Sequence, residues 1–339
     1  MQATASSTSP TTAPQPAAPV NLRPMRLPDL LDSAFVLYRA HFKTLVAIAA
    51  VVDVPILIFS LLANVPTLLL LNRTASSVGS GSASSLTQLL TASNLSSGGI
   101  GFVAAIVGLW KYAALVIATG FIFVGARTNW KEAYKLALSR TLSLIGSNVL
   151  LFVLSLIIIT PLFFVGVFLA AALVPSGPGS DPSAIVLILA VVVIIAPLAV
   201  GVAVALRWSF ITHALLLEGL RARESFGRSW RLTNRSTLRL LGIFFMAGLL
   251  MYGLEMVPAV LVTIPALLAP EMIVLTTIVS SIATRALDLL LSPIPVAIAT
   301  AVYFDLRVRR EGYDLRRRAD RILAESAVIE TPPTPSIQS

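Results

Sequence analysis

Six apolar runs, separated by short polar segments, occupy most of the chain. They extend roughly over Thr44–Leu71, Gly99–Ala126, Asn148–Val174, Ala184–Leu206, Leu238–Leu268 and Met272–Phe304. Crossing a hydrocarbon core of about 30 Å takes about 20 helical residues, so each run is long enough to span a bilayer. Pro55, Pro66, Pro161, Pro197, Pro258, Pro265, Pro293 and Pro295 fall inside the runs. A proline removes one helical hydrogen bond, so kinks or tilts are expected there. Asn72–Gly98 is rich in Ser and Gly and reads as a flexible outer loop. Pro175–Pro182 reads as a tight turn between the third and fourth spans.

A second periodicity precedes each odd-numbered span. Leu27, Leu30, Leu31, Ala34, Phe35, Tyr38 and Phe42 recur at steps of three and four, with Asp29, Asp32, Arg39 and Lys43 on the other face. Trp130, Ala133, Tyr134, Ala137, Leu138 and Thr141 do the same against Lys131, Glu132, Lys135 and Ser139. Phe226, Trp230 and Thr233 oppose Arg228, Arg231, Arg235 and Arg239. Asp29, Glu132 and Glu224 hold matching places near the three helix starts, where the helix dipole favours a carboxylate. The expected fold is therefore all-α and polytopic: six transmembrane helices in three units, each an interfacial amphipathic helix followed by a transmembrane hairpin. Residues 1–21 read as a disordered cytoplasmic tail, 22–310 as the membrane domain, and 311–339 as a basic cytoplasmic segment and tail.

Charge adds a direction. Of 25 Lys and Arg residues, all but Arg73, Lys111 and Arg285 fall in four clusters, before span one, between spans two and three, between four and five, and after six. Positive charge collects on the cytoplasmic side of short loops, so both termini are expected there, in a plasma membrane. The net charge of +9 does not argue for nucleic acid, because the cations flank apolar spans and the chain is only 12% charged. Residues 1–21 show neither a basic n-region nor an apolar h-region, so no secretory signal is expected. With no Cys, thiolate chemistry, disulfides and Cys-based metal sites are excluded.

Two sets of residues carry candidate function. Asp53, Lys111, Glu255, Arg285 and Asp288 are ionisable groups inside spans, where each needs a partner or water. Arg285 and Asp288 are three apart on one helix face, within pairing reach. The set reads either as structural pairs that fix helix register or as the lining of a hydrated path for an ion or polar solute. Arg221, Arg228, Arg231, Arg235 and Arg239 form the second set, a candidate contact for anionic lipid headgroups. His213 and Glu218 read as interfacial residues rather than a catalytic dyad. No phosphate-binding loop, zinc-protease motif or nucleophile elbow with partners occurs. No catalytic residue, cofactor or metal is assigned, membrane lipids are the expected partners, and a protein partner or homo-oligomer is left open.

Leu27-Pro-Asp-Leu-Leu-Asp-Ser-Ala-Phe-Val-Leu-Tyr-Arg-Ala-His-Phe42, Ser229-Trp-Arg-Leu-Thr233 and Tyr303-Phe-Asp-Leu-Arg-Val-Arg-Arg-Glu-Gly-Tyr-Asp-Leu315 carry a resemblance. Together they resemble the bacterial glycerophosphoryl diester phosphodiesterase membrane-domain family, over roughly residues 22–316. That family implies a six-span inner-membrane module. Its catalytic partner domain would need a His pair, acidic metal ligands and a soluble barrel. With two His in total, the expectation here is the membrane module alone, acting as a scaffold or lipid-interacting element, with a transporter or channel as the alternative.

Overall fold

The computed structural model describes residues 25–75, 83–173, 184–268 and 273–312. The described residues form α1 Leu27–Ala40, α2 Phe42–Ala75, α3 Ala83–Phe123, α4 Trp130–Ser139, α5 Thr141–Leu173 and α6 Ala184–Trp208, followed by α7 Ile211–Leu217, α8 Ala222–Thr233, α9 Thr237–Leu268, α10 Ile273–Leu291 and α11 Pro293–Glu311. Among them six stretches are long and apolar enough to cross a membrane: Phe42–Leu62, Gly101–Phe123, Thr141–Leu169, Ala184–Leu217, Thr237–Val257 and Ser281–Glu311. The three-unit order is present, with α1, α4 and α8 each leading into a long hairpin. The expected tails lie outside the described residues except for Glu311 and Gly312, as does the expected turn from Pro175 to Pro182.

Two expectations about the spans are corrected. The Ser/Gly-rich stretch is not all loop: α2 continues to Ala75 and α3 begins at Ala83. Interspersed Ala, Leu and Gln are good helix formers, and the long apolar run that follows extends the helix backwards. The sixth run is two helices, not one rod, because Pro293 and Pro295 withhold two amide donors from the preceding turn. The Tyr38 hydroxyl donates to the Leu290 carbonyl at 2.6 Å, giving this turn a partner from α1. By contrast α5 and α6 pass through Pro161 and Pro197 unbroken. Gly166 makes room for Pro197, whose ring would lie 2.8 Å from a Cβ at that position, so α5 and α6 approach closely there.

The core lies where the amphipathic helices meet the long ones. α1 runs antiparallel along α11. The Met25 amide donates to Asp305 at 2.8 Å at one end, and Tyr38 reaches Leu290 at the other. α4 packs along α3, and Tyr134 Oη donates to the Ile48 carbonyl of α2 at 2.8 Å. Leu30, Ala34 and Leu37 of α1 and Ala133 and Ala137 of α4 are buried, as their periodicity predicts. The amphipathic helices thus wrap α11 and the last turns of α3 in a helical layer. Inside it, Ala113, Ala114, Ala118, Ala297 and Ala301 are fully enclosed. Small side chains let the backbones approach, and Thr119 and Thr300 share a hydrogen bond of 2.8 Å across the α3–α11 contact. Phe123 stacks on Phe304 with centroids 5.2 Å apart. The α5–α6 pair stands at the edge: only 6% of the α5 span and 12% of the α6–α7 span is buried against protein. Their apolar side chains face outward, which suits lipid and not water.

The third amphipathic helix is turned relative to expectation. Ser225, Ser229, Leu232 and Thr233 of α8 are buried, while Trp230 is 42% exposed with the Arg207 guanidinium 4.4 Å from its ring centroid. Small hydroxyl residues fit against α6 and α7 where an indole would not. The Ser229 hydroxyl donates to the Arg207 carbonyl at 2.7 Å, closing the chain end left open at the α6–α7 break.

Candidate functional site

Charged side chains gather in three places, each explained by what its helices bring together. The first lies inside the spans. Lys111 Nζ of α3 donates to Asp53 Oδ1 of α2 at 2.7 Å, with both side chains largely buried. Arg285 and Asp288 of α10 lie within electrostatic reach of Asp53, and so does Tyr134 of α4. Four of the five intramembrane charges therefore share one region. Glu255 does not join them; it sits on an exposed face of α9. The Arg285–Asp288 pair that spacing allows is not among the ion pairs of the described residues; α10 packs on α2, and both residues lie within electrostatic reach of Asp53. Asp53 Oδ2 has no hydrogen-bond partner in the described structure.

The second place is a hub around Glu218, in the link from α7 to α8. Arg228 Nε donates to one Glu218 oxygen at 2.7 Å and Nη2 to the other at 2.9 Å. Arg228 also donates to Glu311 at the end of α11, Tyr303 Oη donates to Glu218, and Arg307 Nε lies 3.4 Å from it. Bidentate guanidinium–carboxylate contacts are short and strongly directional, so α8 and α11 are held in register. The bonds from Glu311 and then Glu218 push the Arg228 guanidinium above its ordinary pKa, against a smaller opposing effect of burial. Gly219 permits the tight exit from α7. Its φ is +72°, and a Cβ there would meet Arg140 Nη2 at 3.3 Å.

The third is a hub around Asp305, which is 1% exposed. It accepts the Met25 amide, Arg239 Nη1 at 2.8 Å and Arg309 Nε at 3.0 Å. Arg239 and Arg309 also donate to the Met25 carbonyl, at 2.8 and 2.6 Å. One carboxylate therefore joins the start of α1, the start of α9 and the end of α11.

These hubs revise the arginine set. Arg228 and Arg239 are bound inside the protein by carboxylates and are not free to meet headgroups. Arg231 of α8 and the flanking Arg221 and Arg235 are exposed, so α8 and its two ends present a cationic outer surface. At the helix start the Arg221 amide donates to Glu224 at 3.1 Å, and Asp29 receives the Arg26 amide at 3.0 Å in α1. Both acids cap their helices as the repeat predicts. Asp305, Glu311 and Tyr303 escape a sequence reading because the chain brings them to their partners from far away. Their one visible signal is the alternation of acids with arginines in Asp305–Glu311. His213, expected at the interface, is wholly enclosed, its Nε2 3.3 Å from Thr300 Oγ1 and its ring against Phe210 and Tyr303. It does not meet Glu218 in any described hydrogen bond.

An apolar six-span bundle stitched by buried charges defines a multi-pass α-helical membrane protein. Residues 42–306 match the family model described as Domain of unknown function (DUF7847), and the chain belongs to that family. No curated protein and no solved structure matches the chain. The family match covers the membrane bundle, residues 42–306, and carries no functional description.

Proposed function

We propose that this is a non-enzymatic membrane module that engages anionic lipid on the cytoplasmic side of a bacterial plasma membrane. The observation that carries the reading is the division of labour among the arginines of the α8 region. Arg228 and Arg239 are spent on internal carboxylates, which fixes the helical layer. Arg221, Arg231 and Arg235 face outward from the same short segment. A cation near an acidic membrane surface gains roughly 1 kcal/mol, so three together distinguish anionic from zwitterionic lipid by on the order of 100-fold. The closed Lys111–Asp53 contact supports a scaffold more than an open path, and the resemblance carried by Leu27–Phe42, Ser229–Thr233 and Tyr303–Leu315 supports kinship with the phosphodiesterase membrane module.

Native mass spectrometry of protein from mixed phosphatidylglycerol and phosphatidylcholine nanodiscs tests this. Retained lipid should be enriched in phosphatidylglycerol, and Arg221→Gln/Arg231→Gln/Arg235→Gln should abolish the enrichment. Unchanged enrichment sinks the reading. A transport reading rests on a different observation, the convergence of Asp53, Lys111, Arg285 and Asp288 with one Asp53 oxygen unpartnered. Ion flux into proteoliposomes that disappears in Asp53→Leu/Lys111→Met would favour it.

A further inference from the structure

A cavity of about 310 Å³ opens between α3, α5, α6 and α7. All of its lining residues lie within candidate membrane spans. It owes its existence to the α5–α6 pair standing away from the bundle. Trp110 Nε1 of α3 donates to Thr141 Oγ1 at the start of α5 at 3.0 Å, and beyond this contact the two helices diverge. Leu151, Ile159 and Ala205 give it apolar walls.

Its polar lining is Tyr112, Ser147, Asn148, Ser155, Ser209, Thr212 and the indole of Trp208, with no charged side chain. The groups divide by hydrogen-bonding role. Ser147 and Ser209 donate to carbonyls of their own chain at 2.9 and 2.8 Å, and Asn148 Nδ2 donates to the Leu144 carbonyl at 2.9 Å. Their oxygens are left as acceptors. The hydroxyls of Tyr112, Ser155 and Thr212 make no hydrogen bond among the described residues and remain as donors. Unpaired hydroxyls in an apolar surrounding are unfavourable, so a partner is expected. The volume lies at the low end for small-ligand sites and far exceeds the roughly 30 Å³ of one water.

We propose that this cleft binds an uncharged glycerolipid of the diacylglycerol class. Its free hydroxyl meets the acceptor set, its ester carbonyls meet the donors, and its acyl chains leave along the exposed apolar flank of α5. A phosphate or ammonium group would enter without a counter-charge and lose its hydration. The site is separate from the cationic face of α8.

The test uses the full chain in phosphatidylcholine nanodiscs with a diacylglycerol carrying a photoactivatable diazirine, adducts being mapped by peptide mass spectrometry. Labelling should saturate, map to α3, α5 and α6, and be competed by dioleoylglycerol but not by dioleoylphosphatidylglycerol. Asn148→Leu/Ser155→Leu should lower it about tenfold by filling the cleft and removing polar partners, and Tyr112→Phe should lower it severalfold. Thermal midpoints of each variant establish that it is folded, and Thr212→Val serves as a second, milder probe. The triple arginine variant of α8 should label normally, so failure of the anionic-lipid reading leaves this one standing. Labelling that does not saturate, yields equally to phosphatidylglycerol, or ignores the cleft variants overturns the proposal.

Discussion

Removing one partner of the Lys111–Asp53 pair should destabilise the protein far more than removing both. At 2.7 Å and an effective dielectric constant of about 20, the attraction is on the order of 6 kcal/mol before desolvation is subtracted. Lys111→Met leaves Asp53 in a site where it is only 7% exposed. The stranded carboxyl can escape its charge by taking up a proton. For a carboxyl of ordinary acidity this costs about 4 kcal/mol at pH 7, which sets a ceiling on that route. Arg285 attracts the stranded carboxylate but Asp288 repels it at least as strongly, so these neighbours give no net relief and about 3–4 kcal/mol is expected for Lys111→Met, with a similar amount for Asp53→Leu. The double variant should lose only about 1 kcal/mol, because two apolar side chains replace a desolvated pair. The coupling energy then comes to several kcal/mol. Reversible unfolding in mixed micelles, followed by tryptophan fluorescence, reads all four proteins on one scale. Single losses below about 1 kcal/mol, or additive effects in the double variant, would refute the view that this is a buried and mutually dependent contact.

Asp305→Asn keeps an acceptor for the Met25 amide but removes the charge facing Arg239 and Arg309, and should cost about 3 kcal/mol in the same unfolding assay. Glu218→Gln should cost less, about 2 kcal/mol, since Arg228 retains Glu311. Gly219→Ala should cost about 1–2 kcal/mol through its left-handed backbone, and a thermal midpoint indistinguishable from the parent would contradict that geometry. Burial, reinforced by the nearby Asp53 charge, raises the Tyr134 pKa above 10.0. A raised value in the folded state means full stability below pH 10 and a progressive loss as pH rises beyond it, because the unfolded chain gives up the proton first. Tyr134→Phe should therefore flatten the alkaline decline in thermal midpoint above pH 10; an unchanged slope counts against burial of this hydroxyl.

Much of this protein follows from local pattern. Runs of about 20 or more apolar residues must be helical in lipid, since no other single segment satisfies its own backbone there. Steps of three and four residues mark the buried faces of α1 and α4, and Asp29 and Glu224 cap helices because a helix start favours an acceptor. These are short-range rules, and the sequence alone applies them. Tertiary structure decided which polar groups meet. Arg228, Arg231 and Arg235 look alike along the chain, yet only Arg228 turns inward, because Glu218 and the distant Glu311 converge on its side of α8. The same holds for Asp53, whose partner lies on the next span, and for Asp305, whose amide donor is 280 residues away. Periodicity placed Trp230 on a buried face, but the close seat of Ser225 and Ser229 against neighbouring helices turned it out. Helix formation is settled within a few turns of chain. The pairing of charges and the opening of the α3–α5 cleft depend on how helices far apart in sequence pack, and no local spacing encodes that.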